Sequence, residues 1–529
     1  MISLSRSAFI TLLALACIAA VVFRFPNLGD RLLWQDEAIS VLRAAGYTQA
    51  QLIKTFDDGR THSVAEMRAY QGHGSTQPAA AVVYSSQAED PQHPPLYYLL
   101  LHFWQHAFGG AMLWQRLLSV LIGIALIPAM YWLGLELFDS RRTAAIGAAL
   151  MAASPFFVAY SREVRDYGLL ALWALVSGAL LLRAARSSKT SAWILYAFSA
   201  AGGLYTSLLF ALALCGHLIF VVAVGRGRKR WAGLAAVAGA LALYVPWIRT
   251  IVSDSQLVMA TNGWSGDTWP VTMLAEKWLF NASVPFFDLE YRWVWAAAIA
   301  VPVLLLTLYA VYFTAKNGTA AQRWFIGGML LPSMVTVGLG DLLLHTHRSA
   351  ITRYGVIFYL GLLLCMTALL GYKTANARRT AWRVLALSVV TAGLGCCIVS
   401  SQSPIWWDNH EDDSIAPVAA RVNAAAPAVV IAPAPAELIY TLSFRLKDNV
   451  RIMLRAASRK PFSAVSPRPT FIVTTGWLFH VYMMQRHGIV AQPLYVASYG
   501  PVWEAFHRPL ARSDLEAPGV KLSMWVVVR

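Results

Sequence analysis

Charge is scarce in this 529-residue chain: 13% of its residues are Asp, Glu, Lys or Arg, while 57% are hydrophobic. Such a composition excludes a soluble domain, and the frequent polar interruptions exclude a fibrous one. Cysteine is scarce too. Cys17, Cys215, Cys365, Cys396 and Cys397 all fall inside apolar runs, which argues against a disulfide framework or a thiolate metal site and assigns them to packing. There is no Gly-rich phosphate loop and no internal repeat. Acids are outnumbered by bases, 27 against 43, for a formal charge of +16. The bases lie in short clusters between apolar runs rather than on one domain, so membrane orientation explains them and a nucleic-acid partner does not. The first apolar run, 8–25, follows a lone Arg6 and has no small-residue cleavage site before Arg24-Phe25-Pro26. It reads as a retained signal anchor.

What is present is a series of runs long enough to cross about 30 Å of hydrocarbon, which takes about 20 apolar residues. They lie near 8–25, 113–138, 143–160, 167–182, 231–249, 293–314, 324–343, 353–372 and 383–401. Residues 192–224 are too long for one crossing, and basic clusters flank them at Arg183, Arg186 and Lys189 and at Arg226, Arg228, Lys229 and Arg230. Those clusters must share one side, so the segment is expected to be a helical hairpin turning near Tyr205-Thr206-Ser207. By the same parity, 95–110 does not cross. It is expected to lie at the outer surface as an interfacial helix, polar at His102, Gln105 and His106. The fold class expected is therefore a polytopic α-helical membrane protein with about eleven spans, N-terminus inside and C-terminus outside.

Three substantial segments then fall outside: a first loop at 26–112, a loop at 250–292, and everything after about 402. The domain division expected is a transmembrane module over 1–401 and a small α/β domain over 402–529. In the latter, strand-like runs at Ala428–Ala432, Val450–Leu454, Phe471–Thr475 and Met524–Val528 alternate with helix-like runs at 415–425, 436–445 and 477–487.

The acids and bases that could do chemistry concentrate in the earlier outer segments. Leu33-Trp34-Gln35-Asp36-Glu37-Ala38 carries an adjacent acidic pair. Neighbouring residues point about 100° apart on a helix, so the two cannot flank one sugar as glycosidase carboxylates do. One alone could serve as a base, which suits transfer from a lipid-phosphate sugar whose phosphate is already a good leaving group. The bland alternative is a helix-start acid. His93-Pro94-Pro95-Leu96-Tyr97-Tyr98 opens the interfacial helix, and its His either meets a phosphate or is simply a helix-entry turn. In Ser161-Arg162-Glu163-Val164-Arg165-Asp166-Tyr167, two arginines stand on the side that disfavours them. Phosphate capture is one reason, and pairing with Glu163 and Asp166 is the other. Arg249, Arg348, Arg353 and Tyr354 sit at outer span ends, where they join the same anionic site or snorkel to headgroups. His345-Thr346-His347 offers two imidazoles without a third ligand. Lys277, Trp264, Trp269 and Trp278 lie in the 250–292 loop, and Asn281-Ala282-Ser283 is a sequon only in a eukaryotic cell.

Together these motifs resemble the integral-membrane glycosyltransferases of the C-type fold, in particular the protein O-mannosyltransferases and the bacterial aminoarabinose transferases that modify lipid A. The resemblance covers roughly residues 1–400. It rests on the first-loop Asp36-Glu37, the His93-Pro94-Pro95-Leu96-Tyr97-Tyr98 helix start, the Arg162 to Tyr167 loop and the Arg353-Tyr354 pair opening a late span. It implies Asp36 as the base with Glu37 supporting it or binding the acceptor, Asp166 as the second outer-loop acid, and Arg353 and Tyr354 facing the lipid phosphate. Two positions depart from the family's pattern: His93 stands where a Lys is common, and Ser207 where a His often follows Tyr-Thr.

The resulting expectation is an inverting transferase that moves a sugar from a polyprenyl-phosphate donor to a lipid, glycan or protein hydroxyl on the outer face of a bacterial inner membrane. Asp36, Glu37 and Asp166 are its catalytic candidates. His93, Arg162, Arg165, Arg249, Arg353 and Tyr354 are the donor-phosphate and lipid candidates. No nucleotide or redox cofactor is implied and no metal ligand is assigned, although an Asp-Glu pair has the chemistry to hold a divalent ion. The rival class is a lipid-linked saccharide transporter or flippase, against which stands the near absence of mid-span charge. A silent scaffold presenting the C-terminal domain leaves the outer-loop charges unaccounted for.

Overall fold

The computed structural model describes residues 5–187, 189–261, 269–289, 294–375, 380–403, 415–432, 436–455, 468–474, 491–498 and 520–527. The chain divides into two compact units. One comprises Met1–Gly29, Asp90–Tyr97 and Met112–Pro404; the other comprises Asp30–Glu89, Tyr98–Ala111 and Ile405–Arg529.

The first unit is helical throughout its apolar runs: Arg6–Val22, Met112–Phe138, Arg141–Ala152, Tyr167–Arg186, Thr190–Thr206, Phe210–Val224, Gly227–Ser253, Val294–Asn317, Ala320–Ser333, Val356–Lys373 and Thr380–Gln402. Among the described residues, seven helices are long and apolar enough to cross a membrane. This is a multi-pass membrane protein. The expected hairpin breaks between Thr206 and Phe210, with Ser207 extended (φ −156°, ψ 139°). The run 143–160 behaves differently from the single span expected of it. Helix Arg141–Ala152 stops and Pro155–Tyr160 begins anew, because the proline ring holds Ser154 in an extended conformation (φ −68°, ψ 116°). A helix of 12 residues rises only about 18 Å.

The run 324–343 is not uniform either. After Ala320–Ser333 the helix loosens into a π-helical turn, Met334–Leu339, and tightens again over Gly340–Leu344. Such turns insert an extra residue and tend to mark functional positions. Helices approach closely where glycines face each other: a Cβ on Gly216 would stand 2.1 Å from the Gly328 carbonyl oxygen, as in the small-residue contacts of membrane helices.

The second unit carries a six-stranded sheet of β1 (His62–Ser63), β2 (Val429–Ala432), β3 (Arg451–Leu454), β4 (Thr470–Thr474), β5 (Ala491–Ser498) and β6 (Val520–Val527), in the order β1-β3-β2-β4-β6-β5. Strand β2 pairs in parallel with both β3 and β4, with Val430 opposite Ile452 and Phe471. Helix Ala436–Ser443 makes the β2–β3 crossover that parallel strands require. All four residues of β2 are buried, as expected of a strand covered on both faces. Helix Ile415–Ala424 also appears where a helix was expected, whereas 477–487 lies outside the described residues.

Two strands had no counterpart in the sequence reading. Edge strand β5 contains Pro493 beside a register shift, which an edge tolerates. Strand β1 is two residues long and belongs to the first loop, yet it pairs antiparallel with β3. The first loop and the C-terminal segment thus share a core: Tyr440 donates to the Tyr70 carbonyl (2.7 Å), and Gln71 Nε2 to Ser443 Oγ (2.8 Å). Beside β1, the His62 ring lies between Asp58 Oδ1 (3.0 Å) and Glu66 Oε2 (2.8 Å).

Candidate active site

In the second unit, Asp36 and Glu37 form the first turn of helix Gln35–Ala44, where carboxylates favour the positive end of the helix dipole. Their side chains diverge as adjacent helical residues do. Glu37 is 1% exposed and Asp36 half-buried, so Asp36 is the more accessible of the pair. The helix is steadied at its far end by Arg43, whose guanidinium lies 4.8 Å from the Tyr98 ring centroid, and by His102 Nδ1, 2.8 Å from the Ala44 carbonyl. His102 and Gln105 are buried while Phe103 on the same helix, Leu96–Phe108, is 60% exposed. Burial lowers the pKa of His102, which keeps the ring neutral as a partner for the helix.

In the first unit, residues 161–166 form the turn between helices Pro155–Tyr160 and Tyr167–Arg186. Gly123 makes room for it: a Cβ there would stand 2.3 Å from Ser161 Cβ. Arg162 is fully buried. Its Nη1 donates to the Ser400 carbonyl (3.0 Å) and its Nη2 to those of Pro26 (2.7 Å) and Ser401 (3.3 Å). These bonds tie the turn to the end of helix Thr380–Gln402, whose last carbonyls lack helical partners. Arg24 and Arg116, which sequence reading passed over, act in the same way. Arg24 donates to the carbonyls of Ala20 (2.7 Å) and Ala152 (3.2 Å), and Arg116 to that of Leu28 (2.8 Å). Arg165 has a different environment: its Nη2 donates to Tyr167 Oη (3.2 Å), and its guanidinium sits 5.3 Å from that ring. Asp166 is 2% exposed, and neither carboxylate oxygen has a hydrogen-bond partner among the described residues. A buried carboxylate in that condition is expensive.

From this turn a chain of rings leads inward. Tyr167 meets Tyr160 (5.1 Å), Tyr160 meets Phe156 (4.6 Å), and Phe156 meets Tyr359 (4.8 Å). Tyr359 lines an apolar cavity of about 590 Å³, with Trp278, Asn281, Ser349, Tyr354 and residues of the π-helical turn. Gly355 is required beside it, since a Cβ there would meet the Tyr359 ring at 2.6 Å. Arg353, next in the chain to the lining residue Tyr354, holds its guanidinium 5.8 Å from the Tyr354 ring. A series of packed rings thus runs from the Arg165–Asp166 turn to the cavity that Tyr354 lines. The segment before them is firmly held: Asn281 Nδ2 donates to the carbonyls of Ser349 (3.1 Å) and Ala350 (3.4 Å), and His347 stacks on Trp269 at 4.8 Å.

Other candidates fall elsewhere. His93 Nδ1 lies 2.7 Å from Asp90 Oδ2, in a segment pinned by the Trp247 indole, which donates to the Pro91 carbonyl (2.9 Å). Arg249, two residues beyond Trp247, is exposed. Lys277 is half-buried and Asn281 6% exposed, which makes Asn281 a packing residue rather than a glycan acceptor. His345 and His347 are divided, one exposed and one buried, and no group of three or more His, Cys, Asp or Glu with metal-binding proximity occurs among the described residues. Trp264 lies outside them.

Residues 92–249 match the family of dolichyl-phosphate-mannose-protein mannosyltransferases. Among solved structures, the chain is similar to ArnT from Cupriavidus metallidurans bound to undecaprenyl phosphate, at 13% identity and a TM-score of 0.53, over 99% of this chain and 98% of that one. The chain carries the C-type glycosyltransferase fold. The same C-type fold relates it to the oligosaccharyltransferase AglB from Archaeoglobus fulgidus in complex with an inhibitory peptide and a dolichol-phosphate, at 12% identity and a TM-score of 0.50, over 90% of this chain and 70% of that one. Comparison with curated proteins finds no match. The family match spans helix Leu96–Phe108, the Arg162–Tyr167 turn and the helical hairpin.

Proposed function

We propose that this protein is an inverting glycosyltransferase that takes a sugar from a polyprenyl monophosphate and passes it to an acceptor hydroxyl on the outer face of a bacterial inner membrane, with its C-terminal domain outside. The observation that carries the reading is the 590 Å³ apolar cavity lined by Tyr354, over whose ring the guanidinium of the next-door Arg353 lies at 5.8 Å: a prenyl chain has the chemistry to fill it, and a guanidinium beside a lining residue suits a phosphate. The likeness to proteins whose structures hold undecaprenyl phosphate and dolichol-phosphate supports the same assignment.

In the proposed reaction Asp36 removes the acceptor's hydroxyl proton, the acceptor oxygen attacks the anomeric carbon, and the bond from that carbon to the phosphate oxygen breaks. The lipid monophosphate leaves with the electron pair and the configuration inverts. Arg353, with Arg165 and Tyr354, would stabilise the charge that grows on the phosphate. Asp166 would orient the acceptor or a sugar hydroxyl, giving its two oxygens the partners they lack. Glu37 would support the Asp36 helix from its buried position. His93, paired with Asp90, and Arg249 are assigned the outer lipid surface, and Arg162 the role of fixing the turn that bears Arg165 and Asp166.

The test is transfer of a labelled sugar from polyprenyl-phosphate donors by purified protein, wild type beside Asp36→Asn. Removal of a general base is expected to lower turnover by about 10²- to 10⁴-fold with the protein still folded. Full activity of the variant would remove Asp36 from the mechanism, and failure of the wild type to bind any such donor would overturn the donor assignment.

A further inference from the structure

Asp341 does not figure in the site as read from the sequence, yet its carboxylate organises the segment that ends at Arg353. It is 2% exposed and follows the π-helical turn Met334–Leu339 by two residues. Its Oδ2 accepts from the Ser349 N–H (2.6 Å) and from the Ser349 hydroxyl (2.5 Å), and its Oδ1 accepts from the Thr346 hydroxyl. Its own carbonyl accepts from the Thr346 N–H (3.2 Å). A carboxylate buried at the end of a span is tolerated only with such a set of donors.

Ser349 passes the constraint on. Its hydroxyl oxygen accepts from the Trp278 indole (2.7 Å), and its carbonyl from Asn281 Nδ2 (3.1 Å). All three residues line the apolar cavity. On the other side, two short 3-10 turns, Arg348–Ala350 and Thr352–Gly355, run from Ser349 to the opening of helix Val356–Lys373. One carboxylate thus sets both a wall of the cavity and the backbone from which Arg348, Arg353 and Tyr354 project.

We propose that Asp341 is a positioning residue for the lipid phosphate. It makes no contact with the donor and acts by holding the Ser349 segment so that the arginines of both 3-10 turns stand at the phosphate end of the cavity. The inference rests on the polyprenyl-phosphate reading above and deepens it. If it holds, losing the Asp341 bonds should loosen the grip on the phosphate while leaving the prenyl tail's binding in place, a separation that general unfolding would not produce.

The experiment compares two probes on full-length protein in lipid nanodiscs: undecaprenyl phosphate, and undecaprenol, which has the same tail without the charge. In Asp341→Asn the amide nitrogen cannot accept from Ser349. This variant is expected to bind undecaprenyl phosphate roughly 10- to 100-fold more weakly while its undecaprenol affinity stays within about twofold. In transfer assays its donor KM should rise by a similar factor, with kcat at saturating donor near wild type. Ser349→Ala keeps the N–H bond and should lose less in the same direction. Equal weakening of both lipids, or a fall in kcat with donor KM unchanged, overturns the positioning role. Should Asp341→Asn fail to accumulate, unchanged phosphate-lipid affinity in Ser349→Ala overturns it as well. A wild-type protein with no preference for the phosphate over the alcohol overturns the donor reading, and this inference falls with it.

Discussion

Two arginine-bearing segments of the membrane unit, 161–167 and 341–355, look alike in sequence and are used differently. In the first, Arg162 is buried and its guanidinium bonds three backbone carbonyls from two other parts of the chain; it holds the fold. In the second, backbone and wall are held by a carboxylate, Asp341, with the help of Trp278 and Asn281, and Arg353 lies over the ring of the cavity-lining Tyr354. An arginine near a membrane surface therefore says little by itself. What matters is whether some other group already secures the turn it sits on.

That difference can be tested by substitution, and the largest effect is expected at Asp166. Asp166→Asn should lower transfer about 100-fold while stability holds or rises, since an unbonded buried carboxylate is itself destabilising; the paired measurement is activity against thermal midpoint. Arg162→Ala should do the reverse, with a loss of roughly 3 kcal/mol in stability from three stranded carbonyls, read as lowered yield and midpoint. Arg353→Ala should keep its midpoint and weaken donor binding by about tenfold. A stability loss at Arg353 equal to that at Arg162 would erase the distinction. Gly123→Ala, which presses a methyl group on Ser161, should cost about 1–3 kcal/mol and reduce activity only as far as it shifts the Arg165–Asp166 turn.

The smallest effect lies outside both segments, at His62. Burial opposes protonation of its ring, but the bonds to Asp58 and Glu66 outweigh this and raise its pKa, while the Ser63 N–H, the His62 ring and the Ser63 hydroxyl hold Glu66 down to about 2. The raised His62 contributes stability below its unfolded pKa of about 6.5, lost as pH rises through the folded value; Glu66 contributes above about 4.5, lost as pH falls towards 2. The β1 region should therefore be tightest between about pH 4.5 and 6.5. Screened by solvent, the gain is less than about 1 kcal/mol, and hydrogen exchange at β1 measured across that range would register it. His62→Ala should flatten the profile.

Hydropathy located most of the helices, the hairpin break at Ser207 and helix Leu96–Phe108, because a span's length is a property of local sequence. The same patterns located β2, β3, β4 and β6. Strand β1 escaped because two residues carry no period, and β5 because proline argues against a strand except at an edge. The residues near the cavity were legible as residue types in plausible places. Their division of labour was not, since Arg162 and Arg353 present the same guanidinium to a reader of sequence. The sequence by itself determined a multi-pass helical protein with its acids and arginines gathered at loop ends. Only the tertiary structure decided that Arg162 closes backbone bonds, that the Asp166 carboxylate is buried without a partner among the described residues, and that Asp341 anchors the segment leading to Arg353. Those outcomes depend on carbonyls and hydroxyls brought together from parts of the chain up to 239 residues apart, and no local pattern records such meetings.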